Sequence, residues 1–115
     1  MIKISPQTYR AMSASRIDRA VDEVSAQIRQ TNPELANRLP SDDFRARVAA
    51  GVKASFQHQL ELEFDVLMLC LMHVAFGPDV LGLERFRWAL DILTEGPGMR
   101  DDRVFRINRQ LEAMY

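Results

Sequence analysis

The 115-residue sequence has a single cysteine, Cys70, which excludes an intramolecular disulfide; set in an apolar run, it reads as a small buried hydrophobe. Histidine is nearly as scarce, with His58 and His73 the two examples, too few to build a His-rich metal centre. Lysine occurs at positions 3 and 53 alone, so thirteen of the fifteen basic side chains are arginines, whose planar donor forks suit pairing and contact. Net charge is missing as well. Fifteen basic against sixteen acidic groups leave −1, so no global field draws in a polyanion or an anionic membrane, and nucleic-acid binding would need a local patch. No stretch approaches the ~20 apolar residues that cross a bilayer; Val66 to Phe76 comes nearest and is interrupted by His73. The opening Met-Ile-Lys-Ile-Ser-Pro lacks the apolar core and cleavage site of a secretory signal, so the expected address is the cytoplasm.

What is present is apolar volume. Hydrophobic residues make up 47% of the chain and include six Phe and one Trp, enough for one core at this length. No repeat, low-complexity tract or composition break divides it, and a single helical domain over residues 1–115 is expected. The fold class this predicts is all-α, a compact bundle of about five helices around a central apolar helix.

Hydrophobic spacing places the elements. A first helix starts at Ser5-Pro6 and runs to about Gln30, with Ile17, Val21, Val24 and Ile28 in one stripe, until Asn32-Pro33 breaks it. A short turn over Pro33 to Leu39 follows. The next helix begins at Ser41, read as a cap, with Asp42 and Asp43 at its positive end and Phe44, Val48, Val52 and Phe56 on its apolar side; Gly51 gives another helix room to approach. Phe64 to Phe76 is apolar nearly all round and is the natural central helix, with Leu67, Leu71 and Val74 at the centre of the core and Gly77-Pro78 as its stop. Leu83 to Leu93 reads as one helix, and Asp101 to Ala113 as the last, after the Gly96-Pro97-Gly98 connection.

Candidate chemistry is thin. Cys70 and His73, three apart, share a helical face, but two ligands do not make a metal site, and neither metal nor cofactor is expected. Glu61, Glu63 and Asp65 form the densest acidic group; Glu61 and Asp65 could pair as acid and base, although their place ahead of the apolar helix suits its positive end. The chain has no phosphate-cradling glycine loop, nucleophile elbow or zinc-protease spacing, so no catalytic residue is assigned. Arg100, Arg103, Arg106 and Arg109 recur every three residues and line a broad flank of the last helix, diluted by Asp101, Asp102 and Glu112. A solvated flank with local pairs such as Asp102 with Arg106 is the expected reading, and nucleic acid is not an expected partner.

Four short segments carry a resemblance: Glu63-Phe64-Asp65-Val66, Phe76-Gly77-Pro78-Asp79, Trp88-Ala89 and Ile92-Leu93. In this order, after an Ile-x-Ile-Ser-Pro opening and a long amphipathic helix, they resemble small helical accessory proteins encoded beside the spike and PAAR-type genes of bacterial type VI secretion loci. The resemblance implies an architecture and a genetic neighbourhood without implying chemistry. It makes the expected role that of a non-enzymatic adaptor or chaperone binding a secreted effector or spike component encoded nearby. An immunity protein that blocks a cognate toxin is the alternative, and a small enzyme using Glu61, Asp65 or His73 stands behind both.

The expected contact surface lies around the Gly77-Pro78 turn. Phe76, Val80, Leu81, Leu83, Phe86 and Trp88 form a surplus of large apolar side chains beside a short connection. Leu81, Leu83, Phe86 and Trp88, with Arg85 and Arg87 at the rim, are therefore the predicted protein-interface residues, and a homodimer is the predicted assembly.

Overall fold

The computed structural model describes residues 14–98 and 101–115. The expected start of the first helix at Ser5-Pro6, and Arg100, lie outside the described residues. The described residues form six α-helices in order: α1 (Ala14–Thr31), α2 (Pro33–Asn37), α3 (Ser41–Gln57), α4 (Glu63–Phe76), α5 (Arg87–Thr94) and α6 (Arg103–Met114). Two single 3-10 turns, Val80–Gly82 and Glu84–Phe86, join α4 to α5. The described residues are all-helical, as the sequence periodicity predicts, and share one hydrophobic cluster.

Helix α1 buries Val21 and Ile28 and half-buries Ile17 and Val24, so the expected stripe is the face that meets the core. Asn32 ends it and Pro33 opens α2, where a missing N–H leaves no helical bond unmade. Helix α3 buries Phe44, Val48 and Val52. Its expected cap is not formed: Pro40 occupies the capping position, Ser41 is already helical, and no side chain bonds the free amides, although Asp42 and Asp43 do occupy the first turn.

Helices α3 and α4 form an antiparallel hairpin. Arg47 donates to the carbonyl of Val74 at 3.0 Å, and the Cys70 thiol faces the carbonyl of Val48 at 3.7 Å, so rising numbers on one helix meet falling numbers on the other. Gly51 lies at their closest approach. A methyl group there would stand 2.7 Å from Cα of Cys70, so the side chain that glycine lacks is the space the partner helix occupies.

Helix α4 is central, touching α1, α2, α3, α6 and the first 3-10 turn. Its neighbours leave one flank open, however. Val74 is buried, as are Val66, Leu69, Cys70 and Met72, but Leu67 and Leu71 are half-buried at the core edge and Phe64 is exposed. The expectation that Leu67 and Leu71 occupy the centre is corrected accordingly: both pack against the edge of the core, on the same side of α4 as the exposed Phe64. Helix α6 runs parallel to α4. The charges of Asp101 and Arg103 act on Asp65 near the start of α4, and the Tyr115 ring packs 5.3 Å from that of Phe76 at its end.

Candidate protein-docking surface

The surface is built by the way the chain leaves α4. Gly77 adopts φ +113°, a conformation that glycine takes without strain, and Pro78 cannot continue the helix. The backbone then satisfies itself locally, with Val80 N–H donating to Gly77, Gly82 to Asp79, Leu83 to Val80 and Phe86 to Leu83, at 2.8 to 3.2 Å. These i to i+3 bonds make two tight turns, the second of which replaces the first part of the expected Leu83 to Leu93 helix. Each turn drives one plug inward: Val80 and Phe86 are both 0% exposed. The residues between them stay at the surface.

A groove of about 440 Å³ lies between this double turn and α5. Its apolar walls are the half-buried Leu81, Leu83 and Leu90, and its rim carries the exposed charges of Glu84, Arg87 and Asp91. A second, shallower depression adjoins it, lined by Leu83, Glu84 and Arg85. Leu83 and Glu84 belong to both, and so form the ridge that separates them. None of Glu84, Arg85, Arg87 and Asp91 enters an ion pair among the described residues, where the pairs are Arg45 with Asp22, Arg103 with Asp101, and Arg106 with Glu95 and Asp102.

Of the predicted interface residues, Leu81, Leu83 and Arg87 line the groove and Arg85 borders its neighbour. Arg85 also lies over Phe86 at 5.0 Å and over Phe76 at 6.0 Å, which holds its guanidinium near the turn. Trp88 is half-buried; its ring stands 6.3 Å from Phe86, and its indole N–H donates to the carbonyl of Arg85 at 3.1 Å. Phe86 is corrected. It is a fully buried plug packed 4.9 Å from Phe76, and no partner can reach it without unfolding the turn. Sequence reasoning missed Leu90 and Asp91, because a single uninterrupted helix from Leu83 puts Leu90 on the core side with Phe86 and Leu93. In the structure Phe86, Ala89 and Leu93 fill the core side, and Leu90 lies half-buried at its edge, in the groove wall.

The other candidate sites disperse. His73 is 2% exposed and donates its Nδ1–H to the carbonyl of Leu69 at 2.8 Å, while burial pushes its pKa down against that hydrogen bond. It borders a depression with His58, Lys53 and Asp79, a place that Glu61 and Asp65 do not reach. Asp65 is half-buried instead beside Asp101 and Arg103. Its carboxyl is pushed up by burial and by the Asp101 charge, with Arg103 opposing. The Cys70 thiol is buried and pushed up to about 12, so it carries almost no thiolate at neutral pH. Among the described residues no group of three or more His, Cys, Asp and Glu side chains is placed to hold a metal ion.

The arginine flank of the last helix is also corrected. Arg103 is 2% exposed, bonded through Nε and Nη2 to the two oxygens of Asp101 at 2.8 and 2.9 Å and through Nη1 to the carbonyl of Leu93 at 2.7 Å. A guanidinium whose donors are met by a carboxylate and a carbonyl in the last turn of a helix can be buried where an ammonium would not be. Arg106 forms the expected pair with Asp102 at 3.1 Å and a second with Glu95 at 2.7 Å. Arg109 lies over the exposed Phe105 ring at 5.8 Å.

No helix among the described residues is long and apolar enough to cross a membrane. Comparison with protein-family models, with curated proteins and with solved structures gives no match.

Proposed function

We propose that the protein is a non-enzymatic, cytoplasmic accessory that works by protein contact, and that the groove between the double 3-10 turn and α5 is its docking surface. One observation carries the reading. Leu81, Leu83 and Leu90 form an apolar concavity ringed by charges that have no ion-pair partner among the described residues, the composition of an interface with an apolar centre and a polar rim. The large exposed apolar side chains among the described residues, Leu62, Phe64, Phe105, Met114 and Tyr115, line neither of the two depressions.

The resemblance to accessory proteins of type VI secretion loci supplies the partner class: an effector or spike component encoded nearby, held by an adaptor or chaperone. The enzyme reading gains no support from the geometry, because His73 borders a different depression from any that Glu61 or Asp65 reaches. Co-expression with the products of the neighbouring genes is the test. One of them is expected to co-purify with the chain in fixed ratio and to be lost with Leu83→Asp, and deletion is expected to stop delivery of the cognate effector. A deletion strain that delivers normally but becomes sensitive to its sisters would replace the adaptor role with immunity. Failure of every neighbouring product to bind would overturn the reading.

A further inference from the structure

We propose that, before a partner protein arrives, the groove is occupied by a second copy of this chain, related to the first by a two-fold axis that passes between the Leu83–Glu84 ridge and the groove beside it. The inference rests on the reading that this surface docks protein, and it names the first occupant. Two features of the surface point to self-association.

The first is shape. Leu83 and Glu84 stand as a ridge between two depressions. A ridge beside a groove is self-complementary: turned through a half-circle, the ridge of one copy enters the groove of the other, with Leu83 set among Leu81, Leu83 and Leu90 of its partner. Such an isologous contact buries the same patch twice and closes on itself, so it ends at two copies.

The second feature is charge. The surface carries two acids, Glu84 and Asp91, and two bases, Arg85 and Arg87, all exposed and without ion-pair partners among the described residues. A partner of one sign would leave two of the four facing a like charge. A second copy presents both signs in the opposite order, so Arg87 of each copy can meet Glu84 or Asp91 of the other. The leucines are thereby covered until a partner competes for them, which suits a chaperone whose docking surface would otherwise stick to itself without order.

Charge reversal tests this, with mass read by sedimentation or light scattering from about 1 μM to 1 mM. The parent chain is expected to move from 13.2 kDa toward twice that mass as concentration rises. Arg87→Glu alone, and Glu84→Arg together with Asp91→Arg, should each raise the dimer dissociation constant about a hundredfold by setting like charges face to face. An equimolar mixture of the two variants should recover the dimer, since positions 84, 87 and 91 are then all acidic in one variant and face the same three positions, all basic, in the other. All three positions are exposed, so circular dichroism should match the parent; Leu83→Ser provides a second route to a monomer if a charge variant does not fold. A mass fixed at 13.2 kDa at every concentration overturns the inference, as does a dimer indifferent to charge reversal or a mixture that stays monomeric. The two readings fail separately. A strictly monomeric chain that still binds a neighbouring product through Leu83 removes the second copy and keeps the function, whereas a charge-dependent dimer that binds no neighbouring product removes the accessory role and keeps the self-association.

Discussion

At the scale of single residues, Arg103 departs furthest from its expected place. Its Nε, Nη1 and Nη2 donate to two carboxylate oxygens and to the Leu93 carbonyl in the last turn of α5, so one side chain ties the start of α6 to the end of the preceding helix. Arg103→Ala leaves Asp101 and the Leu93 carbonyl without those donors. Asp101 is partly exposed and can rehydrate, so the expected loss is roughly 2–3 kcal/mol, below the usual figure for breaking a fully buried pair. Urea denaturation reads it, and an unchanged midpoint would mean the clasp contributes nothing. His73 makes a prediction of opposite chemistry. Burial holds its folded-state pKa below the ordinary value, so the unfolded chain takes up a proton near pH 6.5 that the folded chain refuses. Stability is therefore whole above about pH 6.5 and falls with pH down to the depressed folded value, by up to about 1.4 kcal/mol per pH unit for this group. Between pH 7.5 and 5, His73→Gln should lose that part of the slope, and a slope equal to the parent's would contradict the assignment.

At the scale of elements, the helices with a clean 3.6-residue stripe were legible in the sequence. Val21 and Ile28 in α1, and Phe44, Val48 and Val52 in α3, are buried because apolar spacing alone decides which side of a helix faces inward. Gly51 was legible as a point of close approach, and it yields a sharp expectation. Alanine is intrinsically the better helix former by about 1 kcal/mol, yet its methyl would meet the Cα and Sγ of Cys70 at 2.7 and 2.8 Å, and backbone cannot step aside. Gly51→Ala should lower stability by about 1–3 kcal/mol in denaturation experiments; a stabilised variant would mean that α3 and α4 are further apart. The double 3-10 turn was not legible. Leu83, Phe86, Leu90 and Leu93 are spaced three, four and three apart, which an uninterrupted helix satisfies equally well, and nothing in their side chains declares i to i+3 bonding. The helical spacing sent Leu90 to the core, and the apolar surplus beside the Gly77-Pro78 turn sent Phe86 to the interface; the structure buries Phe86 and leaves Leu90 half-buried in the groove wall. Arg103 was hidden for another reason: charge predicts exposure, and its partners, a carboxylate two residues earlier and a main-chain carbonyl ten residues earlier, leave no periodic trace.

At the scale of the molecule, the double turn separates what folds the protein from what it offers a partner. Val80 and Phe86 point inward and Leu81 and Leu83 remain outside, within seven residues of chain. Paired substitutions expose the division. Phe86→Ala should cost about 3–5 kcal/mol through lost burial and the cavity left behind, while Leu83→Asp, at a half-buried position, should change stability by roughly 1 kcal/mol or less and abolish protein contact. Equal destabilisation by both would make Leu83 a core residue and remove the docking surface. The account as a whole turns on where a partner lands. Hydrogen–deuterium exchange measures this directly, on the chain diluted to its 13.2 kDa form and again with a saturating amount of the neighbouring gene product that binds it. The predicted result is slowed exchange concentrated between Val80 and Thr94, with α1 unchanged; slowed exchange confined to α1, or to the Leu62 and Phe64 end of α4, with Val80 to Thr94 exchanging as before, would contradict it.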